Sequence, residues 1–308
     1  MPLSTTEGAR ALAEAAGVRL LSDQTVLRVS GDDARAWLNG QVTNDVGTPS
    51  PGNATYALVV SLKGRVLTDL WVLDHGEVLD LVLPSELAGD VAAHLDRFII
   101  MEDVELEARR DVAVVTVQGP AASRVADRLA DGPWWPCHRL GTGRERLVPE
   151  ERAEDVLGEV AAAAAAEGGG DVTEEAWELH RLRVGVPRVR VDFGDFTYPQ
   201  EAGLKERAVS FGKGCYQGQE AVVMLEHRGK PPKKLVRLEL EATTPPDPGT
   251  ALEDQDGRRL GEITSAAVDP DTPGRCPALG YLKRDAAAEG AHLRCGGATA
   301  VVRAIVGG

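Results

Sequence analysis

The amino-acid sequence predicts an α+β body with antiparallel sheets, followed by a small all-β domain that closes as a barrel. Over residues 1–229, strand and helix patterns are interleaved, and neighbouring strands are joined by tight turns such as Lys63-Gly64. Such turns join antiparallel strands, whereas parallel strands need long crossovers, so a doubly wound parallel sheet is disfavoured. Over residues 230–308, alternating segments are separated by Gly and Pro, and no convincing helical pattern occurs. The boundary between the two predicted domains therefore follows Gly229.

The predicted elements of the body begin with a strand at 25–29 and a helix opened by Gly31, with Asp32 as its N-cap. Apolar residues then recur at helical spacing from Ser85, the predicted cap, to Phe98. The other strands are short apolar or alternating runs, and they cover residues 56–61, 66–73, 78–83, 104–108 and 112–117. The segment around residues 50–110 is predicted to form one of two intertwined subdomains of the body.

Three further helices are predicted in the body after residue 117. Helices are expected through Val125 and Leu129, over 150–167, and from a capping-box-like start at Asp171 and Glu174. In the terminal domain, five segments have strand character, and they cover residues 235–241, 259–265, 278–283, 292–294 and 298–306. Strands alone, punctuated by turns, are typical of a small barrel.

Composition narrows the class of protein. Hydrophobic residues make up 43% and charged residues 27% of the 308 positions, which is ordinary for a globular protein. The net charge of −14 argues against direct nucleic-acid binding, because a large negative field repels phosphates. No stretch is long and apolar enough to cross a bilayer, and residues 1–16 lack the apolar run of a secretory signal. We therefore expect a cytoplasmic protein that does not bind a membrane. A monomer is expected as well.

The cysteines point to one segment. None of the four forms a CxxC pair or has zinc-finger spacing, so a reduced compartment and no tightly bound metal are expected. Cys215 lies between glycines in Phe211–Ala221, close to Lys213. Glycines let backbone approach a ligand, and a nearby ammonium favours the thiolate, so Cys215 is a candidate reactive thiol. On residue types alone, a tight turn with a buried, inert cysteine is favoured by roughly two to one.

The sequence Lys213-Gly-Cys-Tyr-Gln-Gly-Gln-Glu resembles the K-G-C-Y-x-G-Q-E signature of YgfZ-type proteins and their mitochondrial relatives. Further matches occur in the order that this family requires. They span most of the chain and comprise Gly31–Val46, Ser61–Arg65, Gln118–Pro120, Gly185–Pro187, Tyr198–Leu204 and Gly261–Ser265. The Gly-Lys-Ser/Thr or Gly-x-Gly-x-x-Gly arrangement of a nucleotide-binding loop is missing from the signature segment.

The resemblance implies the fold of the aminomethyltransferase superfamily, a folate-binding body around a central cavity with a C-terminal β-barrel. It implies tetrahydrofolate or a one-carbon derivative as ligand, and iron–sulfur proteins, including tRNA-modifying enzymes, as clients. Cys215 and Lys213 become the candidate catalytic residues. The residues expected to contact the folate are Gln41, Thr43, Asn44, Asp69, Gly214, Tyr216, Gln219, Glu220 and Arg228. The first three would line one cavity wall, although they fit an ordinary polar turn equally well.

Three functions stay open at this point. The first is a folate-dependent accessory protein for the assembly or repair of iron–sulfur proteins. The second is an aminomethyltransferase, which two departures from the glycine-cleavage T-protein pattern weaken. Only Asp69 remains where that family has two consecutive acids, and Arg183 replaces a folate-contacting Glu. The third is a protein-interaction domain in which Cys215 is structural.

Overall fold

The computed structural model describes residues 1–129, 131–227 and 229–307. Two open sheets with their helices form the body, and a closed six-stranded barrel follows in the sequence. This is the α+β architecture with a terminal barrel that the sequence predicts. The independence of the two domains, with a boundary after residue 229, stays a prediction.

A five-stranded antiparallel sheet forms one half of the body, with the strand order β3-β4-β5-β2-β6. Its strands are β2 (Gln24–Ser30), β3 (Ala54–Val60), β4 (Val66–Asp74), β5 (Leu79–Pro84) and β6 (Glu105–Arg109). Successive side chains point to opposite faces. One face, which includes Val72 and Leu81, packs against α2 (Ala34–Asn39) and α3 (Ser85–Asp96). The other face, which includes Trp71, turns toward the rest of the body.

A four-stranded sheet with the order β8-β7-β1-β9 forms the other half. Its strands are β1 (Gly17–Leu20), β7 (Val112–Gln118), β8 (Gly143–Pro149) and β9 (Gly170–Asp171). The pair β1–β9 is parallel over two residues, which the sequence did not predict, and the other two pairs are antiparallel. The helices α1 (Thr5–Glu14), α4 (Ala122–Asp127) and α5 (Ala153–Ala165) belong to this half. α5 buries Val156 and Val160, so its apolar stripe helps to close the second core.

Three short helices connect this sheet to the barrel: α6 (Glu174–Val184), α7 (Lys205–Ala208) and α8 (Gln219–His227). The predicted start of α6 at Asp171 was wrong, because the side chain that accepts from the first free N–H groups belongs to Thr173, which bonds the N–H of Ala176. α6 ends at Gly185, whose left-handed backbone (φ 78°) suits glycine.

The barrel has the strand order β10-β13-β12-β11-β14-β15. Its strands are β10 (Lys233–Glu241), β11 (Ala251–Glu253), β12 (Arg259–Ala266), β13 (Arg275–Lys283), β14 (His292–Cys295) and β15 (Ala298–Ile305). The alternating residues Val236, Leu238 and Leu240 of β10 fill its interior. The sequence missed only β11, whose three residues are too few for an alternating pattern.

Two predicted helix caps were also wrong. Asp33 rather than Asp32 precedes α2, and its carboxylate accepts from the N–H of Asp103 on a neighbouring loop instead of capping the helix. Ser85 is the first residue of α3, and Pro84 precedes it without a side-chain cap. At α2 a contact from outside the helix replaces the expected local hydrogen bond. At α3 the fixed backbone of a proline leads into the helix instead.

Candidate functional site

A cavity of about 470 Å³ lies inside the body. Residues from β1 of the four-stranded sheet, from β2 to β5 of the five-stranded sheet and from α6 form its wall, together with the loop segments 139–140 and 186–191. A volume of this size is typical of sites that hold a small organic ligand. The two sheets and α6 therefore enclose a space that none of these elements forms alone.

Asp69 of β4 lies on the cavity wall beside Tyr56 of β3, whose Oη donates a hydrogen bond to Asp69 Oδ2 at 2.8 Å. Burial raises the pKa of Asp69, although the hydrogen bond from Tyr56 opposes the shift. Burial also raises the pKa of Tyr56 well above its usual value, so the phenol keeps its proton. The cavity thus holds a carboxyl group that takes up a proton more readily than an exposed one.

Two arginines reach the same wall. The guanidinium carbon of Arg207 lies 5.1 Å from the ring centre of Tyr56. Arg139 forms a bidentate ion pair with Glu145, which is fully buried. Both cations lower the pKa of Asp69 and so partly offset the effect of burial. A carboxyl group, a phenol and two guanidinium groups are therefore gathered at one end of the cavity.

The remaining wall is partly aromatic. α6 presents Trp177, Glu178 and Arg181 to the cavity, and β4 adds Trp71. Gln24 of β2 also lines it, and the Oε1 atom of Gln24 is buried without a hydrogen-bond partner among the described residues. A buried acceptor without a partner is costly, so a ligand that donates to Gln24 would gain a hydrogen bond there.

Thr43 and Gln41, two of the residues expected on the wall, are not among its lining residues. Thr43 is fully buried; its Oγ1 donates to the backbone oxygen of Ala208 at 2.5 Å and accepts from the N–H of Leu58 at 3.0 Å. Gln41 lies against α2, with Nε2 3.5 Å from the backbone oxygen of Trp37. Both residues fasten the loop after α2 instead of facing the cavity.

Asn44, the third residue expected on the wall, lies directly behind it. Its Nδ2 donates to the backbone oxygens of Tyr56 at 2.8 Å and Arg207 at 3.3 Å. Those two residues do line the cavity. Asn44 therefore positions the residues that surround Asp69 and has no direct place on the cavity surface.

Lys213 holds the signature loop to the same region. Its Nζ donates to the backbone oxygens of Asn39, Val42 and Asn44 at 2.6, 2.8 and 2.7 Å. These bonds use all three N–H groups of the ammonium, and burial lowers the pKa of Lys213 to about 8. Cys215 is exposed and is not among the residues that line the cavity. The lysine thus acts as an anchor for the loop that presents the thiol.

The signature loop also contacts the turn between β3 and β4, so two of the matching motifs meet. Gly218 has a left-handed backbone (φ 76°), and a Cβ atom there would lie 2.2 Å from the oxygen of Ser61. A Cβ atom on Gly64 (φ 72°) would lie 2.9 Å from Cβ of Ala221 in α8. Only glycine fits at these two positions, because any side chain would force the loop and the turn apart.

The other predicted contact residues are scattered around this loop. Tyr216 is buried in the core against α2 and α3, whereas Gly214 lies in open space, where an added Cβ atom would meet no other atom within 4 Å. Gln219 and Glu220 form the first turn of α8. None of these four lines the cavity. Arg228 lies outside the described residues.

Arg183, which replaces the folate-contacting Glu of the T-protein pattern, points away from the cavity. It forms ion pairs with Asp269 and, at 2.9 Å, with Asp271, both in the barrel domain. The opposite face of α6, with Trp177 and Arg181, supplies the cavity wall. The exchange of Glu for Arg therefore joins the helix to the barrel.

Sequence reasoning identified Asp69 but missed Tyr56, Arg139, Arg207 and the face of α6. One signal was available: Trp177 and Arg181 are four residues apart, so they share a helix face. Such a polar and aromatic face is unusual on a helix that is largely buried. Arg139 lies in an irregular segment and Arg207 in the four-residue helix α7, and neither carried a comparable local pattern.

The other cysteines, Cys137, Cys276 and Cys295, are buried. Across the ranges that the structure describes, no three His, Cys, Asp or Glu side chains come together as a metal site. Among the helices of these described ranges, none has both the length and the apolar character needed to span a membrane.

Residues 3–135 match the GCVT N-terminal domain family. A "tRNA-modifying protein YgfZ" of Hamiltonella defensa is 27% identical over 81% of this chain and 78% of the relative. An "iron-sulfur cluster assembly factor IBA57 homolog, mitochondrial" of Neurospora crassa is 25% identical over 72% of this chain and 53% of the relative. This chain thus spans about half the length of the Neurospora protein.

Among solved structures, the glycine cleavage system aminomethyltransferase T of Bartonella henselae superimposes with a TM-score of 0.85. The match covers 98% of this chain and 89% of the Bartonella protein at 21% sequence identity. At this level of identity the likeness concerns the fold. The aminomethyltransferase fold predicted from the sequence is confirmed.

Proposed function

This chain belongs to the GCVT superfamily and is of the YgfZ type, and on that premise we propose that it binds tetrahydrofolate or a one-carbon derivative. Its proposed role is that of a cytoplasmic, monomeric accessory protein for the assembly or repair of iron–sulfur proteins, including tRNA-modifying enzymes. The names of its relatives in Hamiltonella and Neurospora support this role. The ligand is proposed from the chemistry of the cavity.

The cavity residues fit a folate. Its pterin is flat and carries N–H donors and ring acceptors, so the aromatic side chains of Trp71 and Trp177 suit its faces. The carboxyl group of Asp69 and the unpartnered Oε1 of Gln24 are acceptors for its N–H groups. The anionic tail of a folate requires a cation other than the one beside Asp69, and the wall carries further guanidinium groups such as that of Arg190. Bound folate would supply a carrier for one-carbon units.

One observation carries the proposal: Asn44 joins the cavity to the signature loop. Its backbone oxygen accepts from Lys213, and its Nδ2 donates to the backbones of Tyr56 and Arg207. The loop that exposes Cys215 is therefore linked through one residue to the groups around Asp69. A chain that only docked partners through its surface would have no need for this link.

The exposed thiol of Cys215 is proposed to meet the client protein. It lies outside the cavity wall, where a second protein can reach it, and its loop is held in place by Lys213. A single thiol can ligate a cluster transiently or react with a one-carbon unit, but it cannot hold a stable cluster alone.

To test the ligand, purified protein is titrated with tetrahydrofolate under anaerobic conditions. Quenching of tryptophan fluorescence measures the binding. We expect saturable quenching, because Trp71 and Trp177 line the cavity. The Asn44→Ala variant should bind more weakly, since the positions of Tyr56 and Arg207 depend on Asn44. Absence of saturable binding by the wild-type protein would exclude folate as the ligand.

The test of the thiol uses a cell that lacks the native protein. Cys215→Ser should fold normally, because the residue is exposed, yet it should fail to restore the activity of iron–sulfur enzymes. Urea denaturation of Cys215→Ser beside the wild type is the control for folding. In vitro, an alkylating reagent should modify Cys215 faster than the three buried cysteines. Full activity of Cys215→Ser would remove the thiol from the mechanism.

A second candidate function is transfer of a one-carbon unit from a protein-bound aminomethyl group to tetrahydrofolate. The placement of Asp69 on the cavity wall, with a raised pKa, favours it, since this acid can exchange a proton with a ligand. A glycine-cleavage assay with a lipoylated carrier protein separates the two functions. Release of ammonia and formation of a methylene folate would support the transferase.

A further inference from the structure

α6 and the loop after it separate the cavity from the barrel. One face of α6 lines the cavity with Trp177 and Arg181, as described above. The opposite face packs Leu182 into a cluster with Leu235, Leu279 and Tyr281 of the barrel. Residues 186–191 of the following loop line the cavity as well. The barrel therefore stands directly behind this part of the cavity wall.

Asp192, at the end of this loop, is fully buried and bonds to both sides. Its Oδ2 accepts from Nη1 of Arg181 at 2.8 Å and from the backbone N–H of Arg188 at 2.9 Å. Its Oδ1 accepts from the hydroxyl groups of Thr264 and Ser265, on β12 of the barrel, at 2.5 and 2.6 Å. One carboxylate thus holds two residues of the cavity wall and two residues of the barrel.

The loop that Asp192 holds contains a residue with an unfavourable backbone conformation. Arg190 lines the cavity and has a left-handed backbone (φ 61°), which is rare for a residue other than glycine. Hydrogen bonds between the backbones of Arg190 and Phe193 and of Asp192 and Arg188, both at 2.7 Å, close the loop. Such a conformation persists only where the surrounding contacts fix it. The wall formed by 186–191 therefore depends on the bonds that Asp192 makes.

We infer that Asp192 is a positioning residue that couples the position of the barrel to the shape of the ligand cavity. It contacts the barrel through Thr264 and Ser265. It contacts the cavity wall through Arg181 and Arg188. The barrel is then part of the binding site without touching the ligand. Coupling of this kind is reciprocal. Contact between the barrel and Asp192 improves ligand binding, and bound ligand strengthens the contact between the barrel and Asp192. The second half of this statement rests on the proposed folate function.

The coupling is tested first without ligand. The double variant Thr264→Val with Ser265→Ala removes both hydroxyl groups from the barrel side and changes no residue of the cavity wall. Hydrogen–deuterium exchange of the backbone amides in 186–191 should become about tenfold faster, which corresponds to the loss of hydrogen bonds to a charged group. Exchange in β3 and β4, elsewhere on the cavity, should stay unchanged.

Two controls separate positioning from general destabilisation. Thr264→Ser keeps the hydroxyl group and should keep wild-type exchange in 186–191. Thr250→Val removes a barrel hydroxyl that bonds only the oxygen of Asp247 in its own loop, so it should also leave 186–191 unchanged. If the double variant fails to fold, Ser265→Ala alone is measured, with a smaller increase expected in the same segment. Unchanged exchange in 186–191 in a folded variant without these hydroxyl groups would overturn the coupling.

The ligand arm uses tetrahydrofolate with the same variants. The double variant should bind about tenfold more weakly than the wild type, and folate should slow exchange in β12 of the wild type but less in the variant. Equal affinity of variant and wild type would overturn the coupling to the ligand. A wild type that binds no folate bears on the proposed function alone, because the exchange of 186–191 without ligand still decides the link between barrel and wall.

Discussion

Asp69 and Asp80 lie on the same face of the same five-stranded sheet, yet their surroundings are opposite. Asp80 of β5 is fully buried and accepts two hydrogen bonds from Arg28, each at 2.8 Å, and one from His75 at 2.9 Å. Burial alone would raise its pKa, but His75 and Arg28 outweigh burial and lower the pKa to about 2. Asp69, at the other end of β4, has a phenol as its hydrogen-bond donor, and its pKa is raised.

The difference separates a carboxylate that stabilises the fold from one that is available to a ligand. The charge of Asp80 is matched by Arg28 and His75, which already bond both of its oxygens. Asp69 has one direct side-chain donor, and its nearby cations, Arg139 and Arg207, act from a distance. A carboxyl group with few hydrogen-bond donors, placed next to a cavity, is typical of a functional site. The predictions below test this separation.

The largest effect is expected for Asp80→Asn. The free energy of unfolding at neutral pH should fall by about 3 kcal/mol, because the change leaves Arg28 without its ion-pair partner in a partly buried place. Urea denaturation measures the loss. Asp111→Asn, which removes an exposed carboxylate paired with Arg109, is the control and should leave stability unchanged. Equal stability of Asp80→Asn and wild type would show that the ion pair does not stabilise the sheet.

Asp69→Asn should have the reverse effect. Tetrahydrofolate binding should weaken by about 30-fold, or about 2 kcal/mol, because the amide has no negative charge and only one acceptor oxygen for the N–H groups of the ligand. The free energy of unfolding at neutral pH should not fall, since the raised pKa means that the charged form of Asp69 is disfavoured in the folded state. Fluorescence titration and urea denaturation give the two values. A variant that loses stability and binds folate normally would assign Asp69 to the fold.

The pH dependence of stability should distinguish the two acids. Because the folded pKa of Asp80 is lowered to about 2, its contribution is present above the unfolded value near 4 and disappears as pH falls toward 2; it amounts to about 2 kcal/mol. Asp80→Asn should therefore approach the wild type in stability over this window. The raised pKa of Asp69 has the opposite sign, so any gain in stability of Asp69→Asn should be present at neutral pH and vanish in acid. Thermal unfolding between pH 2 and pH 7 measures both differences.

The smallest effect is expected for Tyr56→Phe. It removes the hydrogen bond to Asp69 and should weaken folate binding by about fivefold, or about 1 kcal/mol. The pKa of Asp69 should rise further, because this hydrogen bond lowers it. The pH at which binding changes should therefore move upward relative to the wild type. An unchanged pH profile would mean that Tyr56 does not set the protonation of Asp69.

The sequence predicted the architecture better than the site. The alternating run of β10 reports directly which side is buried, and the apolar run of β4 indicates a buried strand, so the barrel and most strands were predicted. α1 was not predicted, because its buried residues include only one large side chain, Leu12, among Gly8, Ala9 and Ala11. Small residues give little contrast between the two faces of a helix.

The site was harder because its residues come from distant segments. Asp69 was identified through a family resemblance, whereas Tyr56, Arg139 and Arg207 meet it only after the chain has folded. Asn44 was expected on the cavity wall as part of a matching motif, but it lies behind the wall, and this position depends on backbone oxygens that no pattern reveals. Local sequence patterns report burial and turns; they do not report which side chains converge from separate elements.

The edges of the five-stranded sheet have a consequence for how the chain behaves in a crowded cell. The residues after α2 cover the edge strand β3: the N–H of Thr43 bonds the oxygen of Leu58 at 3.0 Å, and Asn44 bonds the oxygen of Tyr56. The opposite edge, β6, carries Glu105 and Glu107, and like charges discourage the addition of another chain there. The loop after α2, which supports the cavity, therefore also protects the sheet from strand-to-strand aggregation. Loss of its contacts would expose the unpaired edge of β3 and weaken the site at the same time.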